Sequence, residues 1–142
     1  MGGRLIADIV TRGMNVITTN TTLIVSPQSE VGDFRHFLVS QRLVVDDEQM
    51  LKEDGKYYFI IKCRKSDENV YSEYSETQYQ YGWKLLESKD KTLYEFLIKE
   101  KETNEGISNS LKKDDSNPTV KLRLQQLSQK NNIIMDALSY FD

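Results

Sequence analysis

The chain of 142 residues has little of what metal sites and disulfides are made from. It contains one cysteine, Cys63, and one histidine, His36. One cysteine excludes an intramolecular disulfide and a multi-thiolate zinc or iron–sulfur cage, and one histidine excludes a two-histidine metal motif. The composition therefore predicts a cytoplasmic protein without a metal site.

Long hydrophobic runs and a large excess of one charge are lacking as well. The longest uncharged run, 13–29, contains several threonines and two asparagines, so it does not predict a membrane span. The net charge is −3, from 19 basic and 22 acidic residues. Because no global positive field attracts nucleic acid, any contact with RNA must be local.

Alternating helices and strands in the first half predict an α/β fold. An apolar stripe predicts a helix over residues 3–12, and Gly13 fits its C-terminal cap. Residues 21–25 are β-branched or apolar and are followed by Ser26-Pro27, which is typical of a short buried strand in a parallel sheet. Ser29 is the expected cap of a second helix, which carries Phe34 and Phe37 on one face.

Two strands, 43–51 and 56–64, are predicted to form a hairpin through Asp54-Gly55. The second strand is apolar on both faces, so we expect both of its faces to be covered. Residues 65–82 are polar and rich in tyrosine and are interpreted as a linker. Its tyrosines either stack on bases or pack over apolar surface, and the second alternative is favoured.

The last third has the spacing of two heptad helices. Asp114 to Pro118 provide a break, with Asn117 as cap and Pro118 at the first helical position. Folded back on each other, the two helices place Leu111 opposite Val120 and Glu100 opposite Asn131. This register predicts an antiparallel coiled-coil hairpin over 81–142 in a monomer, and the alternative is pairing between two chains.

Three segments resemble a known family in order and spacing: Met1 to Val10, Leu23 to Gln28 and Glu53 to Tyr58. They are similar to the bacterial tRNA (adenine(22)-N1)-methyltransferases. The resemblance implies a Rossmann-like domain that uses S-adenosylmethionine, a C-terminal coiled-coil hairpin, and methylation of an adenine N1 in tRNA. Residues 1–80 would then be the C-terminal part of the methyltransferase sheet.

The strand, glycine-rich turn and helix that open a self-contained α/β enzyme are not found in the sequence. We therefore expect the chain to be the C-terminal part of a longer protein that does not bind S-adenosylmethionine on its own. No nucleophilic residue is expected, since methyl transfer depends mainly on positioning.

The resemblance also assigns site residues. It places Gly2 and Gly3 at the cofactor, although the pair could simply be a flexible start. It places Ser26, Pro27 and Gln28 beside the entering base, with a simple turn as the alternative. Ser26 and Gln28 depart from the family, which has glutamine and asparagine at these positions.

Four basic residues near the predicted hairpin tip are candidates for phosphate contacts: Lys112, Lys113, Lys121 and Arg123. Asp114 and Asp115 oppose that role, and an ordinary charged helix surface is the alternative. His36 and Cys63 are interpreted as structural, and Asp46 to Glu48 as a solvated charge run. The rival functions are a non-catalytic RNA or protein adaptor and a coiled-coil dimerisation unit.

Overall fold

The computed structural model describes residues 1–66 and 73–142. The elements in chain order are α1 Gly3–Arg12, β1 Thr22–Val25, α2 Val31–Ser40, β2 Leu43–Glu53, β3 Lys56–Lys65, α3 Glu76–Tyr81, α4 Trp83–Glu87, α5 Lys91–Leu111 and α6 Pro118–Leu138. Short 3₁₀ turns follow α5 at Lys112–Asp114 and α6 at Ser139–Phe141. The helix predicted over 3–12 therefore has the bounds of α1.

The sheet has the strand order β1-β3-β2, and both pairs are antiparallel. The hairpin between β2 and β3 turns through Asp54 and Gly55, whose φ angles are 51° and 77°. Two consecutive positive φ values match the right-handed strand twist, which explains why Asp-Gly occupies this turn. The hairpin is as predicted, whereas the expected parallel sheet for residues 21–25 is wrong within the described residues, because β1 pairs with the antiparallel β3.

A β-bulge between Val45 and Asp47 shifts the register of β2. Val45 and Glu48 are both buried although they are three residues apart, because the bulge adds one residue to the alternation. The interpretation of residues 46–48 as a solvated charge run is thus wrong for Glu48. Asp47 is exposed, and Asp46 forms an ion pair with Arg64 at 2.9 Å.

The helices lie on one face of the sheet. Phe59, Ile61 and Cys63 of β3 are buried, whereas Lys62 between them is exposed. On the other face Ile24 is 68% exposed and Leu51 50%. The expectation that both faces of β3 are covered is therefore wrong within the described residues.

The start of α2 differs from the prediction. Its N-cap is Glu30, which has a φ of 54° and makes no side-chain cap. Ser29 lies one residue earlier, and its carbonyl accepts a hydrogen bond from the Gly3 N–H at 2.8 Å. The predicted Ser29 cap is wrong because the 29–30 turn is used to hold the start of α1.

Residues 73–82, predicted as linker, include α3 and pack against the domain. A capping box between Ser75 and Gln78 begins α3. Tyr79 and Tyr81 are buried, and Tyr74 stacks on Trp83 with ring centroids 3.8 Å apart. The favoured interpretation, in which tyrosines cover apolar surface, is confirmed for these three, and Tyr71 lies outside the described residues.

Two hydrophobic clusters form the interior. The first joins α1, α2 and the sheet, and it includes Tyr79 and Trp83. The second joins Met50 and Phe59 of the sheet to α4, α5 and α6. Because both clusters draw on residues from either side of position 80, the sheet and the C-terminal helices share their interior.

Helices α5 and α6 contact each other and are joined at Lys112–Asp114, and α6 begins with Asn117 as cap and Pro118 at its first position, as predicted. The polar pair between them differs from the prediction. Asn104 donates to Asn131 at 3.3 Å, while Glu100 accepts a hydrogen bond from the Tyr81 hydroxyl at 3.0 Å. The predicted pairing of Glu100 with Asn131 is wrong because α3 inserts Tyr81 beside α5.

None of the helices in the described part of the chain has the length and apolar character needed to cross a bilayer.

Candidate functional site at the end of the first strand

The two predicted site segments lie next to each other at the carboxyl end of β1. The Gln28 N–H donates to the Met1 carbonyl at 2.9 Å, and the Gly3 N–H donates to the Ser29 carbonyl at 2.8 Å. The structure thus brings residues 1–3 together with residues 26–29. The carboxyl ends of strands are where α/β folds bind their ligands.

Gly2 and Gly3 are required by close packing of the protein on itself. A Cβ at Gly2 would lie 2.6 Å from the Ser29 hydroxyl oxygen, and one at Gly3 would lie 2.5 Å from the Glu30 carbonyl oxygen. Neither a flexible start nor an open cradle describes this arrangement. The role of the two glycines at a cofactor remains a prediction.

A cavity of about 250 Å³ opens beside this turn, between the sheet and α5. Two of the three predicted substrate residues, Pro27 and Gln28, line it. The Ser26 hydroxyl instead donates to the Phe59 carbonyl at 2.7 Å and ties the end of β1 to β3. The other lining residues are Glu30, Val31, Tyr57, Phe59, Gln80, Tyr81, Phe96 and Glu100.

Aromatic rings form much of the cavity wall. Phe96 lies 5.1 Å from Tyr57 and 6.0 Å from Phe59, measured between ring centroids, and the Phe59 contact is edge-to-face. Lys52 and Lys99 lie over the Tyr57 ring, with their Nζ atoms 5.4 Å and 5.6 Å from its centroid. These contacts fix the rings and place two cations at the outer side of Tyr57.

A carboxyl–hydroxyl pair forms the part of the wall toward α5. Burial raises the pKa of Glu100 above its ordinary value, although the Tyr81 hydrogen bond and the charge of Lys130 act against the shift. Burial also raises the pKa of Tyr81, together with the neighbouring Glu100 charge, so Tyr81 stays protonated and donates to Glu100. The cavity therefore contains an acceptor held in a fixed orientation.

A buried ion pair holds the part of the cavity wall that contains Tyr81. Arg35 Nε donates to Glu48 Oε1 at 2.8 Å, and both side chains are fully buried. Arg35 Nη1 also donates to the carbonyls of Tyr79 and Gln80, both at 2.9 Å. Through these bonds α2 and β2 hold the end of α3, which carries Tyr81.

The predicted basic residues lie elsewhere. Lys112 and Lys113 are exposed in the 3₁₀ turn between α5 and α6, and Lys121 and Arg123 are exposed at the start of α6. All four lie in or just after the connection between α5 and α6, and none of them is in the cavity lining. Their contact with RNA remains a prediction.

The residues interpreted as structural are as expected. The half-exposed His36 ring stacks on Tyr79 at 3.6 Å and lies 3.5 Å from Glu76 Oε2 through its Nε2. Cys63 is buried, and burial raises the pKa of its thiol to about 11. Within the described ranges, no group of three or more histidine, cysteine, aspartate or glutamate side chains could hold a metal ion.

Sequence reasoning missed the cavity because its wall comes from four separate segments. Tyr57 and Phe59 were predicted only as part of an apolar strand, and Phe96 belongs to no motif. Glu100 was assigned to the contact between the two heptad helices. Arg35 and Glu48 were also missed as a pair. A charged residue within the apolar face of α2 was the available signal for Arg35.

Residues 1–136 match the sequence model of the family described as TrmK, tRNA (adenine(22)-N(1))-methyltransferase. The chain belongs to this family. A relative from Bacillus subtilis strain 168, named tRNA (adenine(22)-N(1))-methyltransferase, is 34% identical over 70 residues, which are 49% of this chain and 29% of the relative.

Solved structures agree with this fold. A Streptococcus pneumoniae protein, described as a candidate tRNA (m1A22) methyltransferase, is 25% identical with a TM-score of 0.81, and the match covers 97% of this chain and 58% of that one. A Listeria monocytogenes protein of uncharacterized function has a TM-score of 0.86 at 22% identity, over 97% of this chain and 60% of that one. The match with the Bacillus subtilis TrmK structure has a TM-score of 0.76 at 23% identity and covers 100% of this chain and 60% of that one. The chain therefore spans less than two thirds of the length of each of these three proteins.

The described residues contain no strand followed by a glycine-rich turn and a helix, since the first strand follows α1 and ends in Ser26-Pro27. A Cβ at Gly2 or Gly3 would meet the 29–30 turn. Gly3 also lines a cavity of about 260 Å³ together with Arg4, Ala7, Glu30, Asp33 and Phe34.

Proposed function

We propose that this chain is the part of a tRNA adenine-N1 methyltransferase that faces the target base, and that S-adenosylmethionine is the methyl donor of the whole enzyme. Family membership over residues 1–136 is the observation that carries this proposal. A Streptococcus pneumoniae relative, 25% identical, has been solved in complex with S-adenosyl-L-methionine. The cavity at the end of β1 supports the assignment, because Pro27 and Gln28, which the family resemblance places beside the entering base, line it.

We further infer that this chain lacks the part of the enzyme that binds most of the cofactor. The chain alone then does not transfer methyl groups. Within the described ranges β1 is an edge strand, and the apolar side chains around it support this part of the proposal. Leu5 and Ile9 of α1 are 52% and 49% exposed, and Ile24 of β1 is 68% exposed. Such a surface is typical of one that other secondary structure covers.

The proposal also gives α5 and α6 a role as an antiparallel coiled-coil hairpin with residues 81–142 as its domain. The contacts between α5 and α6 support it, including the hydrogen bond from Asn104 to Asn131 at 3.3 Å. The exposed lysines and arginine at its tip then touch the phosphates of cytoplasmic tRNA.

Methyl transfer to tRNA tests the proposal. The chain is assayed alone, and also fused behind the N-terminal part of the Bacillus subtilis relative that precedes its matched segment. We expect the fusion to methylate a tRNA transcript with adenine at position 22, and neither the chain alone nor a transcript with guanine at that position to give product.

Two results would overturn the proposal. A fusion that is folded and binds S-adenosylmethionine in a calorimeter, yet transfers no methyl group to tRNA, excludes the activity. Binding of S-adenosylmethionine by the chain alone excludes the incomplete cofactor site.

A further inference from the structure

The lining of the cavity at the end of β1 suits a positively charged ligand. It includes four aromatic rings, from Tyr57, Phe59, Tyr81 and Phe96, and two carboxylates, from Glu30 and Glu100. None of the described residues that line it carries a positive charge. Aromatic faces and carboxylates both attract cations, and together they form a cation site.

The basic residues near the cavity stand outside its lining. Lys52 and Lys99 lie over the Tyr57 ring, Arg4 pairs with Glu30 at 3.7 Å, and Lys130 acts on Glu100. These basic residues offset part of the negative charge of the two carboxylates. The buried Arg35 lies over the Phe59 ring, with its Cζ 5.0 Å from the ring centroid, and its charge is paired with Glu48 at 2.8 Å. None of these basic residues lines the cavity, so the space between the rings is open to a ligand.

The volume of about 250 Å³ is large enough for a single purine base. It is slightly below the range of about 300–1,000 Å³ that is typical of cavities for drug-sized ligands, and because the cavity opens to solvent, the sugar and phosphates of a nucleotide can extend outside it. The phosphates of a bound nucleotide would then lie outside, away from the two carboxylates.

In methylation at N1, the adenine N1 lone pair bonds to the methyl carbon while the bond from that carbon to the sulfonium sulfur of the donor breaks. The donor leaves as a neutral thioether, so the neutral base becomes a cation. We propose that this cavity holds the N1-methylated adenine of the product and binds it more tightly than unmethylated adenine. Glu100 supplies the negative charge, Tyr57 and Phe96 supply ring faces, and Gln28 supplies an amide for the base edge. This inference rests on the proposed function and names the ligand state that the site prefers.

A preference for the charged base has a consequence for the reaction. Positive charge builds up on the base as the new bond forms, and a site that favours the cation also favours that charge. The same contacts would slow the release of the methylated tRNA.

Nucleoside binding by the 142-residue chain tests the inference without any methyl transfer. The probes are 1-methyladenosine and adenosine, which share size and sugar and differ in charge, and the measurement is a calorimetric titration of each. We expect 1-methyladenosine to bind at least tenfold more tightly. Glu100→Gln should remove most of that preference, because it removes the charge and keeps an acceptor for Tyr81.

Glu102→Gln is the matched control, because it removes an exposed carboxylate two residues away and outside the cavity lining. It should leave the preference unchanged. Gln28→Ala, at an exposed position, should weaken both nucleosides without disturbing the interior.

Equal affinities for the two nucleosides would overturn the inference, as would an unchanged preference in Glu100→Gln or the absence of binding at millimolar concentration. The assigned activity is judged separately, by methyl transfer from the fusion. A fusion that methylates tRNA while the chain shows no nucleoside preference defeats the inference alone.

Discussion

At the scale of single residues, the most consequential feature is the charge pair between Arg35 and Glu48. Both side chains are fully buried, and burial lowers the pKa of Arg35 even though Glu48 acts to raise it. Arg35 also lies over Phe59, with its Cζ 5.0 Å from the ring centroid. One pair thus connects the interior of the sheet with the cavity wall.

Glu48→Ala should destabilise the protein by about 3–5 kcal/mol, because it leaves the Arg35 charge buried without a partner. Urea unfolding followed by the fluorescence of Trp83, the single tryptophan, measures the change. Asp46→Ala breaks the partly exposed pair with Arg64 and should cost below about 1 kcal/mol. Equal losses in the two variants would contradict the importance of burial, and an Arg35→Met/Glu48→Met double variant should recover part of the stability.

Gly82→Ala should be far more damaging than Gly55→Ala. Both glycines have positive φ values, 94° and 77°, so each alanine adds backbone strain of about 1–2 kcal/mol. A Cβ at Gly82 would also collide with Glu48 Oε2 and Arg35 Nη2, whereas nothing lies within 4 Å of a Cβ at Gly55. Thermal unfolding of both variants checks this, and similar melting temperatures would show that Gly82 is not held against the ion pair.

Local turns could be predicted from the sequence, whereas contacts between buried polar side chains could not. Asp54-Gly55 and Asn117-Pro118 specify their turns by their own conformational preferences, so both were predictable. Glu48 was not, because its burial depends on a bulge in β2 that the sequence does not mark. Arg35 finds its partners 13 and 44 to 45 positions away, which no local pattern records.

At the scale of elements, α3 decides the arrangement at the base of the C-terminal helices. Its Tyr81 occupies the position beside Glu100 and belongs to the second hydrophobic cluster with Leu93 and Leu97. The heptad spacing predicted two helices and their order along the chain. It did not predict which polar residues pair between them, because Tyr81 of α3 donates a hydrogen bond to Glu100.

The burial of Glu100 should make stability depend on pH. The folded-state pKa of Glu100 is raised by burial, so the folded chain binds the proton more tightly than the unfolded chain does. Stability from this group is therefore fully present below the unfolded pKa and is lost as pH rises through the folded pKa.

Glu100→Gln should remove that loss, because an amide does not titrate. Urea midpoints measured from pH 4 to pH 8 should fall less steeply in Glu100→Gln than in the unaltered chain, and Glu102→Gln should follow the unaltered chain. A curve for Glu100→Gln that coincides with the unaltered one would show that Glu100 titrates alike in both states.

At the scale of the whole molecule, the cavity and the exposed basic residues lie along different parts of α5 and α6. Phe96 and Glu100 of α5 line the cavity, whereas Lys112 and Lys113 follow the end of α5. The α/β class, the hairpin of strands and the two long helices were predictable from periodicity. The cavity was not, since it forms only where β1, β3, α3 and α5 meet. The covering of the sheet on only one face was not predictable either. An apolar strand has the same sequence pattern whether or not the structure that covers its second face belongs to the same chain.

The buried residues of α6 predict that the protein is a monomer. Leu127, Ile134 and Ala137 of α6 are buried within a single chain, so the apolar face of this helix is already covered. Light scattering coupled to size exclusion should give the mass of one chain, 16.5 kDa. A dimer that dissociates in the Leu127→Asp variant would instead indicate pairing between chains through this face.

The far end of α5 and α6 should contribute to tRNA affinity through charge alone. Lys112→Glu/Lys113→Glu should weaken binding, and it should lower the dependence of log K on log salt by about one for each phosphate that the variant no longer neutralises. Filter binding to tRNA at several salt concentrations measures both quantities. Lys89→Glu/Lys91→Glu makes the same change in charge at the opposite end of α5 and should have a smaller effect. If the two double variants weaken binding equally, net charge rather than the tip attracts the RNA, and the four basic residues at the tip have no particular role.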